Sequence, residues 1–288
     1  MKAKTSIKLI IMVILSIISF GQVQASASTE ADAIITPIIK ASEIQIVKNP
    51  TTVEDFEKIL LFMNYTNTYE LDIPYTFTIQ EGMINNTYDA LTNMFDRYPE
   101  FMSFSYDLDY SIDNDNLEFK VLTLKLSSPN FTEEEVIDMK TKFFDETENI
   151  VHNLIEEGKI TSNMTDKEKA QVFFEWIVLN ASYDYSYAPE SFTGYGQFYN
   201  QKVVCQGYTS IFNSMLKMVG IKEVEGIPGF AKYNNGPHIW TRANIDGEKV
   251  YFDVTWGDNE DSCDYSYFAT DADFMSTTHS WDVDKLGY

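Results

Sequence analysis

The fold of this 288-residue chain is decided by one stretch, Val203-Val204-Cys205-Gln206-Gly207-Tyr208-Thr209-Ser210-Ile211-Phe212. From Tyr208 to Val219 the apolar residues recur at steps of three and four, a spacing that predicts a helix. Gly220 follows the last of them and suits a left-handed helix end. Cys205 is therefore predicted at the first helical turn, where unpaired N–H groups and the helix dipole favour a nucleophilic thiolate. The alternative is a small buried hydrophobic residue, which unpaired cysteines often are.

A β-hairpin is predicted downstream of this helix. Residues 237–245 alternate in polarity as a strand does, Asp246-Gly247 forms a two-residue turn, and residues 250–256 form the return strand. With this turn, His238 and Asp253 project from the same face as diagonal neighbours, about 7–8 Å apart at Cα. A one-residue bulge would break this relation.

Cys205, His238 and Asp253 form the set that nucleophilic cysteine chemistry requires. A carboxylate on one imidazole nitrogen fixes the tautomer and stabilises the imidazolium, while the other nitrogen takes or holds the thiol proton. The alternatives are a core histidine at position 238, and a hairpin side chain or partner of Arg242 at position 253. Few rival pairings exist, because the chain has three histidines and two cysteines.

Three short runs carry a resemblance to the transglutaminase-like superfamily, and to its bacterial secreted members in particular. They are Cys205-Gln206-Gly207-Tyr208, His238-Ile239-Trp240 and Asp253-Val254-Thr255-Trp256. The resemblance extends from about residue 166 to the C-terminus. Upstream, Tyr98-Pro99-Glu100-Phe101 resembles a feature that precedes this domain in the bacterial proteins.

The resemblance implies an α+β fold with a papain-like core, in which a helix bearing the cysteine packs on an antiparallel sheet bearing the histidine and aspartate. It implies a catalytic triad of Cys205, His238 and Asp253. The family includes transglutaminases, proteases, amidases and catalytically silent members. Three hypotheses therefore stay open: a cysteine-dependent acyltransferase acting on protein amide groups, a cysteine protease or amidase, and a silent cell-surface binding module.

The substrate cleft is predicted around the aromatic segment at residues 181–201, which leads directly to Cys205. This segment is interpreted as a long loop that forms one cleft wall or simply packs across the domain. The candidate cleft residues are Tyr185, Tyr208, Trp240 and Trp256, with ordinary core packing as the alternative for the two tryptophans. The backbone N–H of Cys205 is one expected oxyanion donor, and the second is expected from residues 183–201.

The chain divides into three predicted parts. Residues 1–27 have the pattern of a secretory signal peptide, in which three lysines precede an uncharged apolar run and small residues. Residues 28–160 are expected to form an N-terminal α/β region that packs as a pre-domain, and residues 161–288 the transglutaminase-like domain. Capping boxes at Thr132 and Thr165 predict the starts of two helices. We therefore expect a protein secreted to the extracellular space or cell envelope, with no membrane span after signal cleavage.

The net charge limits the kinds of partner that the protein is expected to bind. The formal charge of −23 becomes −26 when Lys2, Lys4 and Lys8 leave with the signal peptide. This charge excludes nucleic acid, whose binding depends on lysine and arginine. It fits a soluble monomer that acts on a protein or peptide substrate.

No cofactor or metal is expected. Asp113-Asn114-Asp115-Asn116 lacks the glycine and the closing glutamate of a calcium loop, so it predicts a hairpin turn. The histidines and cysteines do not cluster at metal-ligand spacing. A Cys205–Cys263 disulfide is the direct rival to catalysis, because two cysteines in a secreted chain can pair.

Overall fold

The computed structural model describes residues 34–35, 53–78, 97–101, 105–113, 118–259 and 262–282. The predicted signal peptide lies outside these residues. The helices are α1 (Val53–Tyr65), α2 (Glu133–Glu156), α3 (Asp166–Asn180), α4 (Tyr195–Asn200), α5 (Cys205–Met218), α6 (Val254–Gly257) and α7 (Ala272–Thr278). The strands are β1 (Glu70–Thr78), β2 (Ser105–Asp113), β3 (Glu118–Ser127), β4 (Ser182–Tyr183), β5 (Lys202–Val203), β6 (Lys222–Ala231), β7 (Gly236–Ile245), β8 (Glu248–Phe252), β9 (Asp258–Asn259), β10 (Ser262–Cys263) and β11 (His279–Ser280).

The N-terminal part contains α1 and a three-stranded antiparallel sheet in the order β1-β3-β2. Strands β2 and β3 pair from Ser105 with Ser127 to Asp113 with Glu118, which is the arrangement of a hairpin. The predicted turn between them falls largely outside the described residues.

Two helix starts follow from their capping boxes, as predicted. The Thr132 and Thr165 backbone N–H groups each donate to the glutamate three residues later, in both cases at 2.8 Å. The two threonine hydroxyls accept from the N–H groups of those same glutamates. Each box satisfies donors that the first helical turn leaves unpaired.

The predicted α+β core is confirmed, because α5 begins at Cys205 and packs on a four-stranded antiparallel sheet in the order β11-β6-β7-β8. Thr241 Oγ1 on β7 donates to Asn213 Oδ1 on α5 at 2.7 Å. The β7–β8 turn is the predicted one, since Ile245 pairs with Glu248 and both Asp246 and Gly247 have positive φ. Strand β6 has no counterpart in the sequence prediction.

The return strand is shorter than predicted, and this corrects the position of Asp253. Strand β8 ends at Phe252, and Asp253 is the N-cap of α6, where its side chain accepts from the Trp256 backbone N–H at 3.1 Å. A short polar side chain that can cap a helix competes with strand continuation. The predicted neighbour relation between Asp253 and His238 survives because the register up to Phe252 is as expected.

The main hydrophobic core surrounds α5. It contains Phe143 and Leu154 of α2 together with side chains of α3, α5 and β7. A helix that precedes residue 160 therefore shares this core with the elements that follow, and the division at residue 160 stays a prediction. Among the described residues, no helix combines the length and apolar character that crossing a bilayer requires.

The segment around Tyr98-Pro99-Glu100-Phe101 docks at the C-terminal end of α5. Lys217, in the last turn of α5, donates to the fully buried Glu100 carboxylate and lies 4.8 Å from the centre of the Tyr98 ring. A cation at this end also complements the helix dipole. The far end of the cysteine-bearing helix is thus fixed by residues of the N-terminal part.

Candidate active site

Cys205 occupies the first position of α5 and is partly exposed. The N-cap residue, Val204, makes no side-chain cap, and the first turn carries no acidic residue. Helix N-termini favour negative charge, so a sulfur anion at this position is stabilised by the peptide dipoles. Gly207 allows this arrangement, because a Cβ there would lie 2.7 Å from the Ser191 carbonyl oxygen and from Val203 Cβ.

His238 lies near the start of β7 and is hydrogen-bonded to Asp253. Its Nε2 is 2.7 Å from Asp253 Oδ2, and the side chain is buried. The ionised carboxylate can only accept, so Nε2 carries the hydrogen and Nδ1 is left for the Cys205 sulfur. The structure therefore brings together all three residues that the sequence predicted as a triad.

The surroundings of His238 and Asp253 favour the ionised form of both side chains. Burial alone would lower the pKa of His238, but the charge and hydrogen bond of Asp253, with a smaller contribution from Cys205, raise it to about 10. Burial would likewise raise the pKa of Asp253, but His238 and His279 hold it at about 2. An imidazolium that persists at neutral pH can stabilise a cysteine thiolate beside it.

His279 was missed by the sequence analysis and contacts the same carboxylate. Its Nε2 lies 3.0 Å from Asp253 Oδ2, and its Nδ1 lies 2.9 Å from Thr278 Oγ1. Asp253 thus accepts from two imidazoles and from the Trp256 backbone. No local pattern indicates this contact, since His279 arrives on β11, which pairs with β6 rather than with the predicted hairpin.

Two of the four predicted cleft residues are core residues, which corrects their assignment. Tyr208 is fully buried, and its hydroxyl donates to Asp258. Trp240 is 1% exposed and packs 4.6 Å from the His279 ring. The helical apolar stripe already indicated a core position for Tyr208.

Tyr185 and Trp256 lie at the surface, as a cleft position requires. Trp256 is partly exposed and stacks on His238 with ring centres 5.4 Å apart. Tyr185 is 82% exposed and lies 5.0 Å from the Tyr183 ring. Tyr183 in turn is close enough to Cys205 that the thiolate, after burial, helps to raise the pKa of its phenol.

The segment at residues 181–201 is more ordered than the predicted loop. It contains β4, a 3₁₀ helix at Pro189–Phe192 and α4. Strand β4 pairs in parallel with β5, and the Asp184 N–H donates to the Val203 carbonyl two residues before Cys205. The aromatic segment is therefore held beside the candidate nucleophile by backbone hydrogen bonds.

One group of possible metal ligands was not predicted from the sequence. His238, Asp253 and His279 place their potential ligand atoms within 4.8 Å of one another. Sequence spacing could not reveal this, because the three residues come from separate elements. The two imidazole–carboxylate hydrogen bonds account for the arrangement, so it does not require an ion. Both cysteines are free, so the rival Cys205–Cys263 disulfide is absent.

Comparison with known proteins gives relatives of one kind. Human and mouse kyphoscoliosis peptidase are each 27% identical to this chain over 122 residues, covering 38% of the chain and 18% of the relative. The chain resembles transglutaminase-like proteins. The similarity to kyphoscoliosis peptidase, itself transglutaminase-like, confirms the predicted resemblance. The chain spans less than a fifth of the length of these curated relatives. No family model matches it.

Two solved structures are also similar to part of this chain. One is a TGase, with 16% identity, a TM-score of 0.34, and coverage of 64% of this chain and 50% of the other. Another is a proposed cysteine protease from Cytophaga hutchinsonii, with 14% identity, a TM-score of 0.32, and coverage of 54% and 65%.

Proposed function

We propose that this transglutaminase-like chain is a cysteine-dependent acyl-transfer enzyme that acts on amide groups of proteins or peptides. One observation carries the proposal. A buried imidazole is held by a carboxylate through Nε2 at 2.7 Å, while a partly exposed cysteine at a helix N-terminus lies on its other side. This is the relation of nucleophile, base and orienting group that acyl transfer requires.

In the proposed first step, the Cys205 thiolate attacks the carbonyl carbon of an amide. The oxyanion that forms is stabilised by the Cys205 backbone N–H, which has no acceptor within its own helix. His238 then donates its Nδ1 proton to the departing nitrogen, and the C–N bond breaks. An amine leaves, and the acyl group stays on sulfur as a thioester, while Asp253 keeps the imidazole in the correct tautomer.

The second step decides between crosslinking and hydrolysis. His238 accepts a proton from an incoming nucleophile, which attacks the thioester and regenerates the Cys205 thiolate. A protein amine gives a crosslink, and water gives hydrolysis. Hydrolysis is the second candidate, because the similar curated proteins are named peptidases and because Cys205 is partly exposed to water.

We further propose that the enzyme is exported and acts as a monomer outside the cell or in the cell envelope. The charge of −23 and the signal-like N-terminus support this setting. A protein with this negative net charge is also expected to bind neutral or basic protein substrates rather than acidic ones.

The test is incubation of the purified mature protein with a glutamine-containing protein and a labelled primary amine. Incorporation of label indicates a transferase, release of ammonia without incorporation indicates an amidase, and cleavage of the chain indicates a protease. We expect at least one of them, and we expect Cys205→Ala to abolish it. If none appears above the Cys205→Ala background, the silent binding module becomes the better account.

A further inference from the structure

His279 is a buried histidine to which the proposed mechanism gives no task. Its side chain is 0% exposed, and Nε2 lies 3.0 Å from Asp253 Oδ2, the oxygen that His238 Nε2 also contacts. A carboxylate can only accept hydrogen bonds, so both Nε2 atoms carry hydrogen. One carboxylate oxygen therefore receives two imidazole donors.

The tautomer of His279 is set by the Asp253 carboxylate, and the contact with Thr278 is compatible with it. With the hydrogen of this tautomer on Nε2, Nδ1 can only accept, and the Thr278 hydroxyl 2.9 Å away is the donor. The titratable groups facing the ring are Asp253, the His238 ring at 5.4 Å and the Tyr267 ring at 5.9 Å. The Trp240 and Trp256 rings, at 4.6 and 4.2 Å, enclose the remaining sides.

The sheet register places both imidazoles on one face. His279 pairs with Ala231, and His238 pairs with Gly229, which lies two residues earlier on β6. Paired residues, and residues two apart on a strand, point to the same side. His279 and His238 therefore project together, separated by the one intervening strand.

Gly229 makes the approach of β11 possible. A Cβ at this position would lie 2.3 Å from the Ser280 carbonyl oxygen and 2.6 Å from the Trp240 ring. Real Cβ atoms do not approach backbone atoms this closely, so either β11 or the tryptophan would have to move. Strand β11, which carries His279, can therefore approach β6 only because the residue paired with His238 is a glycine.

We propose that His279 is a positioning residue that holds the Asp253 carboxylate ionised and oriented toward His238. The inference rests on the proposed function, because it assigns a task within the same site. Without the second imidazole, the buried carboxylate would lose a charge-assisted donor and could turn about its side-chain bonds. His238 would then lose the alignment that keeps Nδ1 on the Cys205 sulfur.

The experiment compares His279→Gln with His279→Leu. Glutamine keeps an N–H donor near the position of Nε2, whereas leucine keeps only apolar bulk. The measured quantity is the rate of Cys205 alkylation by iodoacetamide between about pH 3 and 9, with the modified peptide identified by mass spectrometry. His152→Ala, on the partly exposed face of α2, is the histidine control.

We expect leucine to slow alkylation roughly ten- to hundredfold, the range expected for one lost charge-assisted hydrogen bond. The acid-side loss of reactivity should also move to higher pH, because Asp253 with one donor fewer takes up a proton more easily. Glutamine and His152→Ala should stay close to the unsubstituted protein. Equal losses in the glutamine and leucine variants with an unchanged pH profile, or no loss in either, would overturn the inference.

A second measurement applies if the variants do not fold. Nitrogen-15 NMR of the unsubstituted protein should show His279 as the Nε2–H tautomer, and an Nδ1–H tautomer would overturn the inference. Ordinary thiol reactivity of Cys205 in the unsubstituted protein would instead count against the proposed function, and the NMR result would still decide whether His279 donates to Asp253.

Discussion

Asp253→Asn removes the negative charge of the predicted triad while it keeps the size and shape of the side chain. Asparagine is an equally good helix N-cap, so its amide oxygen can keep the Trp256 N–H bond seen for Asp253 Oδ1. Its NH₂ group then faces the His238 and His279 Nε2 atoms, where a donor would meet two donors. His238 must change tautomer to relieve this conflict, which places a hydrogen on the wrong nitrogen for accepting the thiol proton.

The magnitude follows from the pKa of His238. A rise from 6.5 to about 10 corresponds to a preference for the imidazolium of about 5 kcal/mol, most of it from Asp253. Removing the charge leaves burial opposed only by the smaller contribution of Cys205, so we expect the pKa of His238 to fall toward its ordinary value of 6.5. Reactivity that depends on this histidine should fall on the order of 10³–10⁴-fold, as expected for a triad left in the wrong tautomer.

Two assays check this result. NMR titration of the His238 ring measures its pKa directly, and thermal unfolding measures the linked stability. Because the folded pKa is raised, the pair stabilises the fold fully below about pH 6.5, and this contribution is lost as the pH rises through about 10. Asp253→Asn should abolish that dependence. Asp271→Asn is the matched control, because Asp271 caps α7 through the Phe274 N–H at 2.7 Å.

The reasoning would be refuted if His238 kept its raised pKa in Asp253→Asn. It would equally be refuted if Asp271→Asn reproduced the change in the pH dependence of stability, since the effect would then come from capping.

Three other substitutions test interactions that stabilise the fold around the site. Glu100→Gln should destabilise the fold by about 1–3 kcal/mol in urea unfolding, because it leaves the partly buried Lys217 ammonium without its charged partner. Gly229→Ala should cost about 1–3 kcal/mol and slow Cys205 alkylation, because β11 must shift. Lys140→Met should be relatively more favourable at pH 7 than at pH 10, by about 2–3 kcal/mol in urea unfolding, because burial lowers the pKa of Lys140 to about 8 and the fold therefore disfavours its ammonium form.

Each of these has its own contradicting result. Replacing both members of this pair, as Glu100→Leu with Lys217→Met, should cost less than Glu100→Gln, and a larger loss would argue against the charge explanation. Gly236→Ala is the control for Gly229→Ala, because its close neighbours are the side-chain atoms of Asn234, and equal effects would discount the role of β11. A pH-independent difference for Lys140→Met would mean that its ammonium stays charged in the fold.

The sequence allowed the central geometry to be predicted because it depends on short-range rules. The apolar spacing after Cys205 fixed a helix start, and the Asp246-Gly247 turn fixed the register that brings His238 near Asp253. The capping ability of Asp253 ended the strand early, yet it left the register before it unchanged.

The missed features depend on long-range packing. His279 reaches the site because β11 adds to the edge of β6, and no periodicity in residues 272–282 indicates that pairing. Tyr208 and Trp240 were assigned to a cleft because large aromatic residues suit both cores and clefts. For Trp240 only burial under neighbouring elements distinguishes the two environments, whereas the apolar stripe of α5 already indicated a core position for Tyr208.

The most direct test is the alkylation rate of Cys205 across pH in the unsubstituted protein and in His238→Ala. A sulfur activated by a charged imidazole should react rapidly even near pH 6, and His238→Ala should slow that reaction at least a hundredfold, within the range of about 10²–10⁴ for a positioned acid–base group. Equal, slow rates in the two proteins, rising only in alkali, would show that the cysteine and the histidine do not act together.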